Sequence, residues 1–163
     1  MKANSTDHCP VCGMKVASAQ YKTQYHKMYF RFCSEQCHAM FEATPQLYAS
    51  GTVEKRIPLL KTRKLRLARL CDAGEERLIE IYLLEMMGVA TVYIQDDSLQ
   101  VSYDLLQVTQ ARIEQRLNEL EAYLDDNWWQ RLRRGWIQNA EENELNNLAR
   151  GSGACCNRPP PHV

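Results

Sequence analysis

Apolar residues recur at every second position in several short runs of this chain, and at helical spacing between and after them. Tyr21, Thr23 and Tyr25, then Tyr29, Phe30 and Phe32, predict two short strands around a turn at His26-Lys27. Ser34 to Ala43 reads as a helix that stops at Thr44-Pro45, because proline cannot continue it. Further on, Leu65 and Leu67 alternate with Lys64, Arg66 and Ala68 as a third strand. Asp72 and Glu75 fit a capping box, so a helix is expected from about Gly74 to Met87, with Gly88 as its C-terminal cap. Val92 and Ile94, then Leu99, Val101 and Tyr103, predict a hairpin that turns at Asp96-Asp97. Ile113, Leu117, Leu120 and Leu124 form one apolar stripe of a second long helix. From Leu65 onward the order is β-α-β-β-α, most of a ferredoxin-like split βαβ unit. The fourth strand of such a unit is not supplied by the residues from Asp125 onward.

The pattern divides the chain into a small unit at 1–50, a linker at 51–62 containing Gly51 and Pro58, a ferredoxin-like unit at 63–124, a tryptophan-rich extension at 125–150 and a tail at 151–163. The fold class is therefore α+β. The extension, with Trp128, Trp129, Leu132, Trp136 and three arginines, is amphipathic. Trp129, Leu132 and Trp136 are expected to fold back over the open sheet; peripheral membrane contact through 128–137 is the alternative.

Charge narrows the function. Twenty Lys and Arg balance twenty Asp and Glu, whereas a general nucleic-acid binder carries a basic excess. The basic run Lys55, Arg56, Lys61, Arg63, Lys64, Arg66 and Arg69 lies opposite apolar strand positions and reads as a solvated face. No apolar run reaches a membrane span, and the first residues, MKANSTDHCPVCG, lack the apolar segment of a secretory signal, so a cytoplasmic location is expected. In that setting seven cysteines read as metal ligands or redox thiols before they read as disulfides.

Four of them carry the strongest signal. Cys9-Pro10-Val11-Cys12-Gly13 is a knuckle that points two sulfurs at one centre, and Cys33 and Cys37 share a face at the start of the first predicted helix. A helix N-terminus stabilises thiolates. Knuckle, hairpin and helix together make a treble-clef-like site with Cys9, Cys12, Cys33 and Cys37 as converging ligands. Soft sulfur donors suit Cu(I), Zn(II) and iron–sulfur clusters alike. Met14 and His26 are secondary ligand candidates beside the knuckle and in the hairpin turn. Cys155 and Cys156 form a further soft-metal lure in the tail.

CPVCGMKV followed by YHKMYFRFCSEQCHAMFEATPQLY resembles the YHS domain, a TRASH-like module tied to heavy-metal handling. The resemblance spans roughly residues 8–50 and rests on Cys12-Gly13-Met14, Phe32-Cys33-Ser34, Cys37, Phe41, Pro45 and Tyr48. It departs in having Cys9 where most relatives have Asp, and His26-Lys27 where they have a turn glycine. Residues 63–124 resemble a heavy-metal-associated domain through Gly88 to Ile94, Val101 to Asp104, Ile113 and Leu117. The CxxC of that family is missing, since its loop here reads Cys71-Asp72-Ala73-Gly74-Glu75. The resemblance implies a docking domain without a second metal site.

The two resemblances imply a non-enzymatic heavy-metal-binding protein, most simply for copper, that sequesters the ion or passes it by thiolate exchange to a transporter such as a copper-transporting P-type ATPase. The alternatives are an interaction adaptor whose four cysteines hold structural zinc, and a thiolate-ligated iron–sulfur or redox protein. No Ser/His/Asp set, phosphate loop or acid/base carboxylate pair points to catalysis.

Overall fold

The computed structural model describes residues 8–17, 20–49, 57–120, 122–125 and 127–150. Most of the linker, 51–56, and the tail with Cys155 and Cys156 lie outside them.

The N-terminal part is a hairpin followed by two helices. Strands β1 (Tyr21–Tyr25) and β2 (Met28–Phe32) pair antiparallel, with Tyr25 opposite Met28. The turn between them holds His26 at φ 47° and Lys27 at φ 65°. Both are left-handed, as a two-residue hairpin turn of matching twist requires, and neither is the glycine or asparagine such a turn favours. Helix α1 (Glu35–Ala43) starts at the N-cap Ser34, whose hydroxyl accepts from the Cys37 N–H at 3.3 Å. It ends at Thr44, and Pro45 opens the short helix α2 (Pro45–Ala49). Phe32, Phe41 and Tyr48 are fully buried, and Phe41 is the hub, with Phe30 and Phe32 ring centroids 4.8 and 5.1 Å away. Aromatic rings carry much apolar area per residue, which suits so small a core.

The second part has strands β3 (Leu60–Arg66), β4 (Val89–Gln95) and β5 (Ser98–Asp104), with helices α3 (Ala73–Leu84) and α4 (Gln110–Glu119). The sheet order is β3-β5-β4, all antiparallel. The capping box at Asp72 is present: its carboxylate accepts from Gly74 and Glu75 N–H, both at 2.8 Å, and Glu75 accepts from the Asp72 N–H. Leu65, Leu99, Val101 and Tyr103 occupy one face of the sheet, and Ile79, Leu83, Ile113 and Leu117 cover it from the helices. Full burial of each such aliphatic side chain is worth about 1.5–3 kcal/mol. The opposite face is polar, with Thr62 and Ser102 hydroxyls 2.8 Å apart across the strands.

Four expectations need correction. Helix α3 ends at Leu84 rather than Met87, because the chain must turn into β4 within a few residues. Gly88, at φ +91°, serves that turn instead of capping the helix; a Cβ there would sit 2.6 Å from Gln107 Cβ. Helix α4 ends at Glu119, so Leu124 does not extend its stripe. Leu124 instead bridges antiparallel to Leu67, flanked by Ala68 N–H to Tyr123 O and Asp125 N–H to Arg66 O, each at 2.8 Å. Residues 122–125 thus supply a stub of the fourth strand beside β3, which gives the ferredoxin-like order 4-1-3-2.

The fourth correction concerns the extension. It is one helix, α5 (Trp128–Ala149), but Trp136 is 80% exposed and Leu132 is exposed too, so neither covers the sheet; the Trp129 side chain lies outside what the structure describes. The helix docks through its other half, where Glu141 and Leu145 are buried, and through Arg134, which pairs with Glu114 at 3.5 Å and donates to Asp125 O at 2.7 Å. Glu141 accepts from the Tyr103 hydroxyl and from the Gln110 N–H (2.9 Å), and lies 3.7 Å from the Arg63 guanidinium. Lys61 pairs with Glu144 at 2.8 Å. These partners lie on the helix-covered face, so α5 joins α3 and α4 there and leaves the polar face open. The basic run is correspondingly divided. Lys61 and Arg63 serve α5, whereas Arg66 pairs with Asp97 (2.6 Å) and Arg69 with Glu75 (2.5 Å).

The two parts touch directly. The Gln36 side-chain amide on α1 donates to Met87 O (2.7 Å) and Gln107 O (3.0 Å), and the Tyr48 hydroxyl donates to Leu106 O (2.9 Å).

Candidate metal centre

Three local structures bring the four sulfurs together. The knuckle closes by Gly13 N–H to Cys9 O (2.9 Å) and Cys9 N–H to Met14 O (2.8 Å), with Gly13 at φ 78° where a side chain would be strained. The end of β2 delivers Cys33, and the first turn of α1 delivers Cys37. The Sγ atoms of Cys9, Cys12, Cys33 and Cys37 all lie within 4.8 Å of one another. Cys12 and Cys33 are 3.4 Å apart, Cys33 and Cys37 3.7 Å. A tetrahedral ion with metal–sulfur bonds near 2.3 Å would set its ligands about 3.8 Å apart. The cysteine set therefore fits a tetrahedral soft-metal ion. Cys9 and Cys37 are fully buried, while Cys12 and Cys33 retain some access to solvent.

Packed thiols cannot all ionise unaided. Hydrogen bonds from Cys12 and then Cys37 hold the Cys9 thiol far below its usual range. Cys37 is driven well up by its bonds with Cys12 and Cys9 and by burial. For Cys12 the bond with Cys37 favours the thiolate, but the bond with Cys9 and burial outweigh it, and the group is pushed up to about 12. Burial and mutual hydrogen bonding thus set these thiols against one another, and a cation among them relieves the conflict.

The remaining candidates fall elsewhere. Met14 is half exposed, and its carbonyl closes the knuckle. His26 is exposed in the hairpin turn, edge-on to Tyr25 at 4.2 Å between ring centroids, and outside the sulfur cluster. Among the described residues Cys71 belongs to no such cluster. It lines a recess of about 420 Å³ with Leu67, Leu78, Ile79 and Leu120, and burial, then Glu75, raise its pKa.

One sulfur escaped the sequence reading. The Cys37 thiol donates to the Met87 thioether, Sγ to Sδ 3.4 Å, across a separation of fifty residues. No spacing rule links the two positions. The sequence placed the pair Met86-Met87 at the end of the predicted helix, whereas both lie in the turn after it.

The YHS domain matches residues 8–52 of this chain, which contain all four clustered cysteines. The YHS match together with the cluster marks this part as a heavy-metal-binding unit. Among solved structures, the chain is similar to the N-terminal soluble domains of Bacillus subtilis CopA at 20% identity and a TM-score of 0.40. The similarity covers 42% of this chain and 48% of that one, so the chain spans about half of its length. Among curated proteins, none matches. No described helix is long and apolar enough to cross a membrane.

Proposed function

We propose that this protein binds a soft heavy-metal ion, Cu(I) before Zn(II), at Cys9, Cys12, Cys33 and Cys37, and surrenders it by thiolate exchange to a metal transporter. The observation that carries the reading is the convergence of four sulfurs at ligand spacing inside a YHS unit. Exchange needs a ligand that an incoming thiol can reach. Cys12 and Cys33 keep solvent access, while Cys9 and Cys37 hold the ion from the buried side. The ferredoxin-like unit, with Cys71 alone in its loop, serves docking and takes no ion of its own. A copper-transporting P-type ATPase is the kind of recipient this chemistry suits. The protein performs no catalysis in this reading.

The test is anaerobic loading with one equivalent of Cu(I), followed by challenge with a chromophoric chelator and native mass spectrometry. Retention of one ion should be lost in Cys12→Ser and Cys37→Ser and unchanged in Cys71→Ser, with release accelerated by added thiol. A purified protein that carries Zn(II), refuses Cu(I) and never exchanges would replace this reading with the structural-zinc adaptor.

A further inference from the structure

The sulfur cluster has a neighbour that the YHS unit does not own. Met87 belongs to the turn between α3 and β4, outside residues 8–52, yet its Sδ stands 3.4 Å from Cys37 Sγ. That separation equals the Cys12–Cys33 distance within the cluster and is slightly shorter than Cys33–Cys37.

The placement of Met87 is built. Gln36, one residue before Cys37, donates from one amide group to both Met87 O and Gln107 O, which pins the turn against the first turn of α1. Gly88 then allows the chain to pass Gln107 at a distance no side chain would permit, and its carbonyl accepts the Asp104 N–H at 2.8 Å. Backbone on both sides of Met87 is therefore fixed, and the flexible thioether is left beside a cysteine.

Resting on the soft-metal reading above, we propose that Met87 is a further sulfur donor, presented to the four-cysteine centre by the ferredoxin-like unit, that replaces one of the thiolates among the three or four ligands Cu(I) accepts. A thioether is neutral and soft, so it adds affinity for Cu(I) without adding charge, and it offers little to Zn(II), which four thiolates already satisfy. It also gives the second unit a direct stake in occupancy of the first: a ligand change at Cys37 would be felt at the turn that Gln36 holds.

The experiment uses the full chain with selenomethionine in place of methionine, loaded with Cu(I), and X-ray absorption at the selenium edge. A copper–selenium scattering path is expected. It should vanish in Met87→Leu, which keeps the apolar volume, and persist in Met14→Leu. In competition with a chromophoric chelator, Met87→Leu should weaken Cu(I) retention on the order of tenfold, the low end of what altering a supporting residue at a metal site costs, and leave Zn(II) retention unchanged. Bound Cu(I) with no selenium neighbour overturns the proposal while sparing the four-cysteine site, whatever the folding of the variants. A path lost in Met14→Leu but kept in Met87→Leu overturns it equally. If the wild-type chain takes up no Cu(I), the copper reading itself fails, and the proposal with it.

Discussion

The two halves of this molecule solve the small-core problem in opposite ways. The ferredoxin-like unit closes a sheet face with two helices and buries Leu83, Leu99, Val101, Ile113 and Leu117 completely. The hairpin unit buries a few aromatic rings around Phe41 and gathers four sulfurs where further apolar residues would otherwise be needed. One half is held by area removed from water and the other by converging ligands. The difference teaches why chemistry resides in the first: thiols held together at mutual electrostatic cost are stable only when something reconciles them.

The sharpest way to break this contrast is to remove the ion. On chelation under reducing conditions, amide hydrogen exchange of the full chain should show protection lost over residues 21–43 and kept over 89–104, because ligand binding in the first part is folding free energy. Simultaneous loss in both segments would show one cooperative body and erase the distinction. A smaller effect is expected at the seam. Glu141→Ala removes the acceptor of the Tyr103 hydroxyl and the Gln110 N–H and strands Arg63, so stability should fall by about 3 kcal/mol in denaturant titration. The Tyr103 phenol is driven well up by burial and then by Glu141, which keeps it a donor throughout the physiological range. A fall below about 1 kcal/mol would place the anchoring of α5 elsewhere. The smallest effect lies in the hairpin. Lys27→Gly relieves a left-handed lysine and should stabilise the loaded protein by about 0.5–1 kcal/mol, read from thermal melting. A destabilisation would show that the lysine side chain contributes more than its backbone strain removes.

Much of this was legible because local chemistry and tertiary need agreed. The CxxC knuckle, Ser34 at the head of α1 and the Asp72–Glu75 box are short-range devices, and each folds as its spacing dictates. The errors arose where the two conflicted. Leu124 fits the helical period of Ile113 and Leu117, but the Arg66 carbonyl and the Ala68 N–H at the edge of the sheet need partners, and a strand stub at 123–125 supplies them. Leu132 and Trp136 were expected to cover a sheet left open by a missing fourth strand, yet a strand stub is present, the open face is polar, and both side chains stay exposed. Glu141, a charged residue among other charged residues, gave no sign that it would be the buried anchor. Met87 and Gln36 were invisible for a related reason, since their meaning depends on a contact between parts of the chain fifty residues apart.

The position of α5 bears on the order in which the protein is made. Tyr103, Gln110 and Arg63 leave the ribosome before Glu141 and Leu145, which follow Tyr103 by roughly forty residues, or about 2–8 s at ordinary elongation rates. During that interval the cysteine hairpin and the three-stranded sheet are both complete in sequence, while the surface that α5 will cover is bare. The last helix therefore closes over Tyr103, Gln110 and Arg63 only after the hairpin that carries the cysteines and the three strands of the sheet have all been made.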